Sequence, residues 1–340
     1  MKKKILVTGG TGYIGSHTIV DLIEHGYEVI CVDNEVNSDS SCLEAIFTIS
    51  GVKVTYFCLD LCDVASVKTI FEAHPDIQGV IHFAALKAVG ESVEKPIAYF
   101  RNNIDSLLNV LDLSIQYGVK AFIFSSSCTV YGNVETSPVD ENTPTQEAES
   151  PYGRTKQIGE QIITDSIKNT KTKSILLRYF NPAGAHPSAL IGESPIQPPQ
   201  NLVPIITEVA IGKREKLTVF GSDYPTRDGS CIRDYIHVCD LARAHTLALQ
   251  YIFENKQNMS TEIFNVGIGD GLTVFEVIKA FEKVTGIDLS YDVGPRRAGD
   301  VMAIYSDHKK ASDLLGWYPS YHVEDIMSTA WEREKKRSEK

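Results

Sequence analysis

The chain has 340 residues, 43% of them apolar and 23% charged, with 24 glycines and a formal charge of −11. Such a composition excludes a disordered or fibrous protein and leaves room for one large or two modest domains; no apolar run approaches the ~20 residues that span a bilayer. The acidic balance speaks against a nucleic-acid surface, which would show a basic stripe, but not against an anionic small molecule held by a few arginines.

In chain order, three lysines lead into Ile5-Leu6-Val7, a run too short for an export signal because Thr8-Gly9-Gly10 ends it. Short β-branched runs then alternate with amphipathic segments. The predicted strands are 4–8, 28–33, 53–58, 79–83, 121–126 and 174–179, and the predicted helices 14–25, 66–73, 97–117 and 152–169. Runs such as VIHFAA and AFIFSS are nearly all apolar, as strands covered on both faces should be. The expected fold is α/β, a doubly wound parallel (Rossmann) sheet over 1–180, with a smaller α+β part over 181–340 from which some segments return to the first. The stretch 134–150 carries five acidic residues and no basic one and reads as a solvated loop, while the charge-dense tail 331–340 reads as a frayed, solvated helix end. Seven cysteines (31, 42, 58, 62, 128, 231 and 239), odd in number and without a C-x-x-C pair, point to reduced thiols in the cytoplasm and to no metal site.

The first strand runs straight into GGTGYIG, which satisfies both Gly10-x-Gly12-x-x-Gly15 and Gly9-x-x-Gly12-x-x-Gly15. Glycines there allow a tight turn and let backbone N–H groups approach a pyrophosphate at a helix N-terminus. Strand, glycines, helix, second strand and the terminal acid Asp33 follow in the order that a dinucleotide site requires. Asp33 would accept from both adenosine ribose hydroxyls and repel a 2′-phosphate, so NAD is expected over NADP.

A second constellation begins with Ser127 in FSSSCTVYG and continues 25 residues later with Tyr152-x-x-x-Lys156. Four residues make one helical turn, so Tyr152 and Lys156 share a face that a strand-end serine can reach. A tyrosine of ordinary pKa ~10 acts as a base near neutrality only if that value drops by about 3 units. Burial works against this, so the Lys156 ammonium and a positive nicotinamide ring must outweigh it. Tyr305-x-x-x-Lys309 has the same spacing but no strand-end serine before it, and reads as a surface pair.

The strings VTGGTGYIGSHT, VIHFAALKAVGESV, FIFSSSCTVYG, SPYGRTK, LLRYFNPAGAHPS, NLVPII, RDYIHVCDLA and RRAGD span residues 4 to about 315. Through them the chain resembles the UDP-glucose 4-epimerases (UDP-galactose 4-epimerases), extended short-chain dehydrogenases/reductases. The resemblance implies Ser127, Tyr152 and Lys156 as catalytic residues. It implies an NAD site formed by Gly9, Gly12, Tyr13, Ile14, Gly15, Asp33, Asn34, Asn37, Ser38, Asp60, Leu61, Phe83, Ala84, Lys87, Asn102, Ser125, Tyr152, Lys156 and Tyr179. For UDP-hexose it implies Ser127, Tyr152, Asn181, Asn201, Leu202, Leu217, Phe220, Arg233, Tyr235, Arg297 and Asp300, with Ile304 at a position bordering the sugar. The implied reaction interconverts UDP-galactose and UDP-glucose, and the implied assembly is a homodimer through helices 97–117 and 152–169, with no nucleic acid or membrane as partner. Two rivals remain: a nucleotide-sugar 4,6-dehydratase, in whose relatives Asp-Glu stands where Cys128 and Thr129 stand here, and a non-catalytic dinucleotide sensor.

Overall fold

The computed structural model describes residues 2–297 and 300–339. Strand β1 (Lys4–Thr8) leads through the glycine turn into helix α1 (Tyr13–Glu24), and the alternation continues with β2 (Glu28–Asp33), α2 (Cys42–Ser50), β3 (Thr55–Cys58), α3 (Val64–Ala73) and β4 (Ile77–His82). Helices α4 (Val89–Glu94) and α5 (Pro96–Phe100) run through a π-helical turn, Arg101–Asp105, into α6 (Ser106–Gln116). Next come β5 (Ala121–Ser127), α7 (Pro151–Ile167), β6 (Lys173–Tyr179), β7 (Asn181–Ala183), α8 (Leu202–Ala210), β8 (Leu217–Phe220), β9 (Ile232–His237) and α9 (Val238–Phe253). The chain ends with β10 (Thr261–Val266), β11 (Gly271–Thr273), α10 (Val274–Thr285), β12 (Tyr291–Gly294), β13 (Ala303–Ile304) and α11 (Val323–Ser338).

Seven strands form one parallel sheet in the order β10-β6-β5-β4-β1-β2-β3. The order reverses between β1 and β4, and in sheets of this kind ligands sit outside the carboxyl ends of the strands at such a point. All seven residues of β5 are buried, in line with cover on both faces. One face packs Ile5, Val7 and Ile123 against α1 and α9, and the other packs Leu6, Val80 and Phe122 against α3, α6 and α7. A third core, with Ile206, Val219, Phe281 and Met327, joins α8, α10 and α11 to β8 and β9.

Several expectations need correction. The seventh strand, β10, and the covering helix α9 lie beyond residue 180, so the sheet is wider than the six strands read from the sequence. The single helix expected over 97–117 is three consecutive pieces, with the π turn at Arg101–Asp105 in its middle. The acidic stretch 134–150 is not simply solvated: Val139 is buried and bridges Tyr305 and Asp307, and the Glu141 carboxylate accepts from the Asn265 N–H at 2.7 Å. Nor is the tail frayed up to Glu339. Trp331 packs edge-on against Phe281, and buried Glu334 accepts from Lys213 at 2.6 Å. Charge density misled in both places, because charged groups find distant partners that local sequence does not show. Lys340 lies outside the described residues. No described helix is long and apolar enough to cross a membrane, and all seven cysteines are unpaired.

Candidate active site

The glycine turn is closed so tightly that side chains are excluded. Gly9 has φ 65°, and a Cβ on it would lie 2.8 Å from the Ala84 nitrogen; one on Gly15 would lie 2.3 Å from the Gly9 oxygen. At Gly9 and Gly15 the backbone is thus left without a side chain, as a phosphate cradle needs. Tyr13 and Ile14 open that helix, the Tyr13 hydroxyl donating to the Gly184 carbonyl at 2.6 Å and Ile14 packing on the core. Asp33, at the end of β2, accepts from the Thr11 N–H at 3.2 Å, the Ser38 hydroxyl at 2.8 Å and the Glu35 N–H at 3.0 Å. The acid is therefore fixed beside the glycine turn, with exposed Asn34 and Asn37 flanking it.

Phe83 and Ala84 follow β4, where the Thr8 carbonyl and hydroxyl receive their N–H groups. Asn103 holds the next loop: its side chain accepts from the Leu86 N–H and donates to the Leu86 carbonyl and the Thr155 hydroxyl. Asn102 leans on the same amide at 2.9 Å. Asp60 accepts from the Cys62 N–H at 2.9 Å, and Leu61 is buried beside it.

Ser150 caps α7 by accepting from the Gly153 N–H, and Pro151 occupies the first helical position, so Tyr152 stands in the first turn. The hydroxyl of this half-buried tyrosine faces Ser127 at the end of β5. Burial pushes Tyr152 up to about 12, with the Ser127 hydroxyl opposing. One turn on, Lys156 lies 5.9 Å from the Tyr152 ring centroid and donates to the Ser125 carbonyl at 2.6 Å and hydroxyl at 3.2 Å. Burial pulls Lys156 down to about 7, and Glu160 works against the fall. Tyr179 on β6 is in register with Ser127. The second pair of the same spacing stands apart: Tyr305 donates to the Ser137 carbonyl and Lys309 pairs with Asp313.

On the other side, Arg233 on β9 and Arg297 both reach Asp300, Arg233 at 3.4 Å and Arg297 at 2.9 and 3.1 Å. Arg297 also lies over the Phe220 ring. Asn181 and Tyr235 are register partners on β7 and β9. Asn201 precedes α8, whose first residue is Leu202, and shares the Glu193 carboxylate with Lys87, at 3.0 and 3.4 Å. Two expected residues present little side chain. Leu217 is sealed in the third core, leaving only its main chain for a ligand; Ile304 is buried with Cys128, Val130, Tyr131 and Phe180.

Residues 6–330 match a family model described as GDP-mannose 4,6 dehydratase. The chain is similar to a UDP-glucose 4-epimerase of Schizosaccharomyces pombe, 48% identical over 337 residues, 98% of this chain and 94% of that one. It belongs to the UDP-glucose 4-epimerase family. Two solved members of the family superpose over 99% of both chains. The enzyme from Stenotrophomonas maltophila, with NAD and formylated UDP-arabinopyranose, has a TM-score of 0.95 at 42% identity, and that from Bifidobacterium longum, with NAD+ and UDP, 0.94 at 43%.

For this epimerase-family chain the structure adds residues absent from the sequence reading. Thr11 and Asn103 organise the dinucleotide side, and Glu193 joins Lys87 to Asn201. Asn103 was signalled by the doubled asparagine in NNID, whereas Glu193 had no local signal.

Proposed function

We propose that this chain interconverts UDP-galactose and UDP-glucose by transient oxidation at carbon 4. The observation that carries the reading is the meeting of Tyr152, Lys156 and Ser127 at the end of β5, two strands from β1 and the glycine turn that a Cβ would block. Gly9, Gly12, Gly15, Asp33 and Ser38 would hold NAD, the group found in both solved relatives, and the chemistry it would supply there is reversible hydride acceptance. Asp33 selects against a ribose 2′-phosphate by charge.

Tyr152 takes the proton of the 4-hydroxyl, with Ser127 sharing the hydrogen bond, as the hydride leaves the same carbon. Lys156 supplies the positive charge that must counter the effect of burial on Tyr152. The 4-keto sugar turns about its diphosphate, and the return of hydride and proton on its other face gives the epimer. Arg233 and Arg297 are the forked donors for the diphosphate, exchanging their shared hold on Asp300 for phosphate oxygens. Firm grip on UDP with a loosely held sugar is what such a turn requires. A 4,6-elimination lacks its acid and base here, because Cys128 and Thr129 fill those positions and burial pushes the Cys128 thiol up to about 12.

The protein works as a homodimer in the cytoplasm. Ile97 and Leu108 stand exposed on α5 and α6 and support pairing through those helices, and seven unpaired thiols support a reducing compartment. Purified protein given UDP-galactose should form UDP-glucose without added dinucleotide; a 4-keto-6-deoxy product, or none, would overturn the reading.

A further inference from the structure

Glu160 lies one turn beyond Lys156 on α7, and the chemistry above leaves it without a task. It is only 8% exposed, and carboxylates are seldom so buried unless paired. Arg178 grips it with both arms of a fork, at 2.8 and 2.6 Å, and the Ser126 hydroxyl donates to it at 2.5 Å. Ser126 and Arg178 are register partners on β5 and β6. Lys156 makes the matching contact one turn earlier, to Ser125. Helix α7 is thus fastened to β5 at two successive serines, immediately before Ser127. Gly159 permits the close approach, since a Cβ on it would lie 2.8 Å from the Phe124 ring.

The charges around Lys156 are few. Its own helix brings Tyr152 and Glu160; β5 brings the Phe124 ring at 4.8 Å and Ser125; β4 brings His82, which burial holds neutral with a pKa of about 3. Tyr179 on β6 and Tyr99 on α5, next to Tyr152, are buried phenols raised further from ionisation. Glu160 is the anion whose field reaches Lys156, and Arg178, stacked 4.9 Å over Tyr131, lies behind it.

We propose that Glu160 is a positioning residue for the Tyr152–Lys156 pair: tied to Ser126, it is the counter-charge that keeps the Lys156 ammonium charged and aimed at Tyr152, and Arg178 limits its strength. The inference rests on Tyr152 and Lys156 acting as the base pair, but its main readout needs no turnover.

That readout is the titration of Lys156, followed by NMR in protein carrying carbon-13 lysine, with Lys156→Met to assign the signal. Glu160→Gln should move the midpoint down by about one pH unit, a tenfold change in the deprotonation constant, while Arg178→Met should move it up. The double variant Glu160→Leu/Arg178→Met replaces the buried ion pair with apolar groups, a change that proteins often tolerate, and should place the midpoint between those of the two single variants. Glu160→Gln should also lower kcat with UDP-galactose about tenfold and leave KM within about twofold, because the diphosphate contacts are elsewhere. A Lys156 midpoint that does not fall in Glu160→Gln, or that in the double variant is not below the midpoint of Arg178→Met, would overturn the proposal.

Discussion

Lys156 and Ser125 meet across the seam between α7 and β5, the ammonium donating to the Ser125 carbonyl and hydroxyl at 2.6 and 3.2 Å. That contact fixes the lysine one turn beyond Tyr152, and the proposed reaction needs its charge to oppose the burial that drives the phenol the wrong way. Tyr152→Phe should therefore remove nearly all turnover while UDP binding, measured by calorimetry, stays close to wild type. Lys156→Ala should be severely impaired for the same electrostatic reason. Activity within tenfold of wild type in the phenylalanine variant would rule Tyr152 out as the base.

The dinucleotide should be released when the purified protein is denatured, and it should be NAD. Asp33 is held by Thr11 and Ser38 beside the glycine turn, and its carboxylate would repel a 2′-phosphate bound there. Recovery of NADP, or of no dinucleotide, contradicts this.

Arg233→Ala and Arg297→Ala should each weaken UDP binding by about 1.5–3 kcal/mol, the range for hydrogen bonds to charged groups. Both guanidinia already converge on Asp300, so a bound diphosphate finds them together. Unchanged UDP affinity in both variants places the diphosphate elsewhere.

The resemblance to the epimerases puts a large tyrosine at the place of Ile304, bordering the sugar; the smaller Ile304 packs here with Cys128 and Phe180. Some turnover of UDP-N-acetylglucosamine is expected, with preference for the unacetylated pair, and Ile304→Tyr should abolish the N-acetyl activity. Absence of that activity in wild type, or its survival in the variant, shows that Ile304 is not the gate.

Acid should destabilise the fold early. Burial lowers His17 and His82 to about 3 and His237 and His245 to about 4, against 6.5 when unfolded. Below pH 6.5 the unfolded chain binds more protons than the folded one, so the stability these four contribute is complete above that pH and declines as it falls towards 4. Asp240, raised to about 6 by burial, acts oppositely over part of the interval, as do Asp234 and Glu141, which burial also raises, while burial lowers His186 with the other four histidines. Urea midpoints measured between pH 7 and 5 should decrease; a flat profile contradicts the assignment.

The parallel sheet was legible because its strands are almost wholly apolar and its turns carry glycine and acid in a fixed order. Strand β10 was not, since TEIFNV lies far along the chain between shorter elements and gains its place only by pairing with β6. The same holds within the site. Tyr152 and Lys156 are a local spacing, whereas the Glu193 link between Lys87 and Asn201, and the Glu160–Arg178 fork, join residues whose proximity exists only after folding.

The central claim, oxidation and reduction at one carbon within one site, is tested most directly with UDP-galactose deuterated at carbon 4. The account predicts UDP-glucose with the deuterium retained at carbon 4, formed without added dinucleotide and without exchange into water. Loss of the label to solvent during conversion would mean that the carbon gives up a proton and not a hydride, and would contradict it.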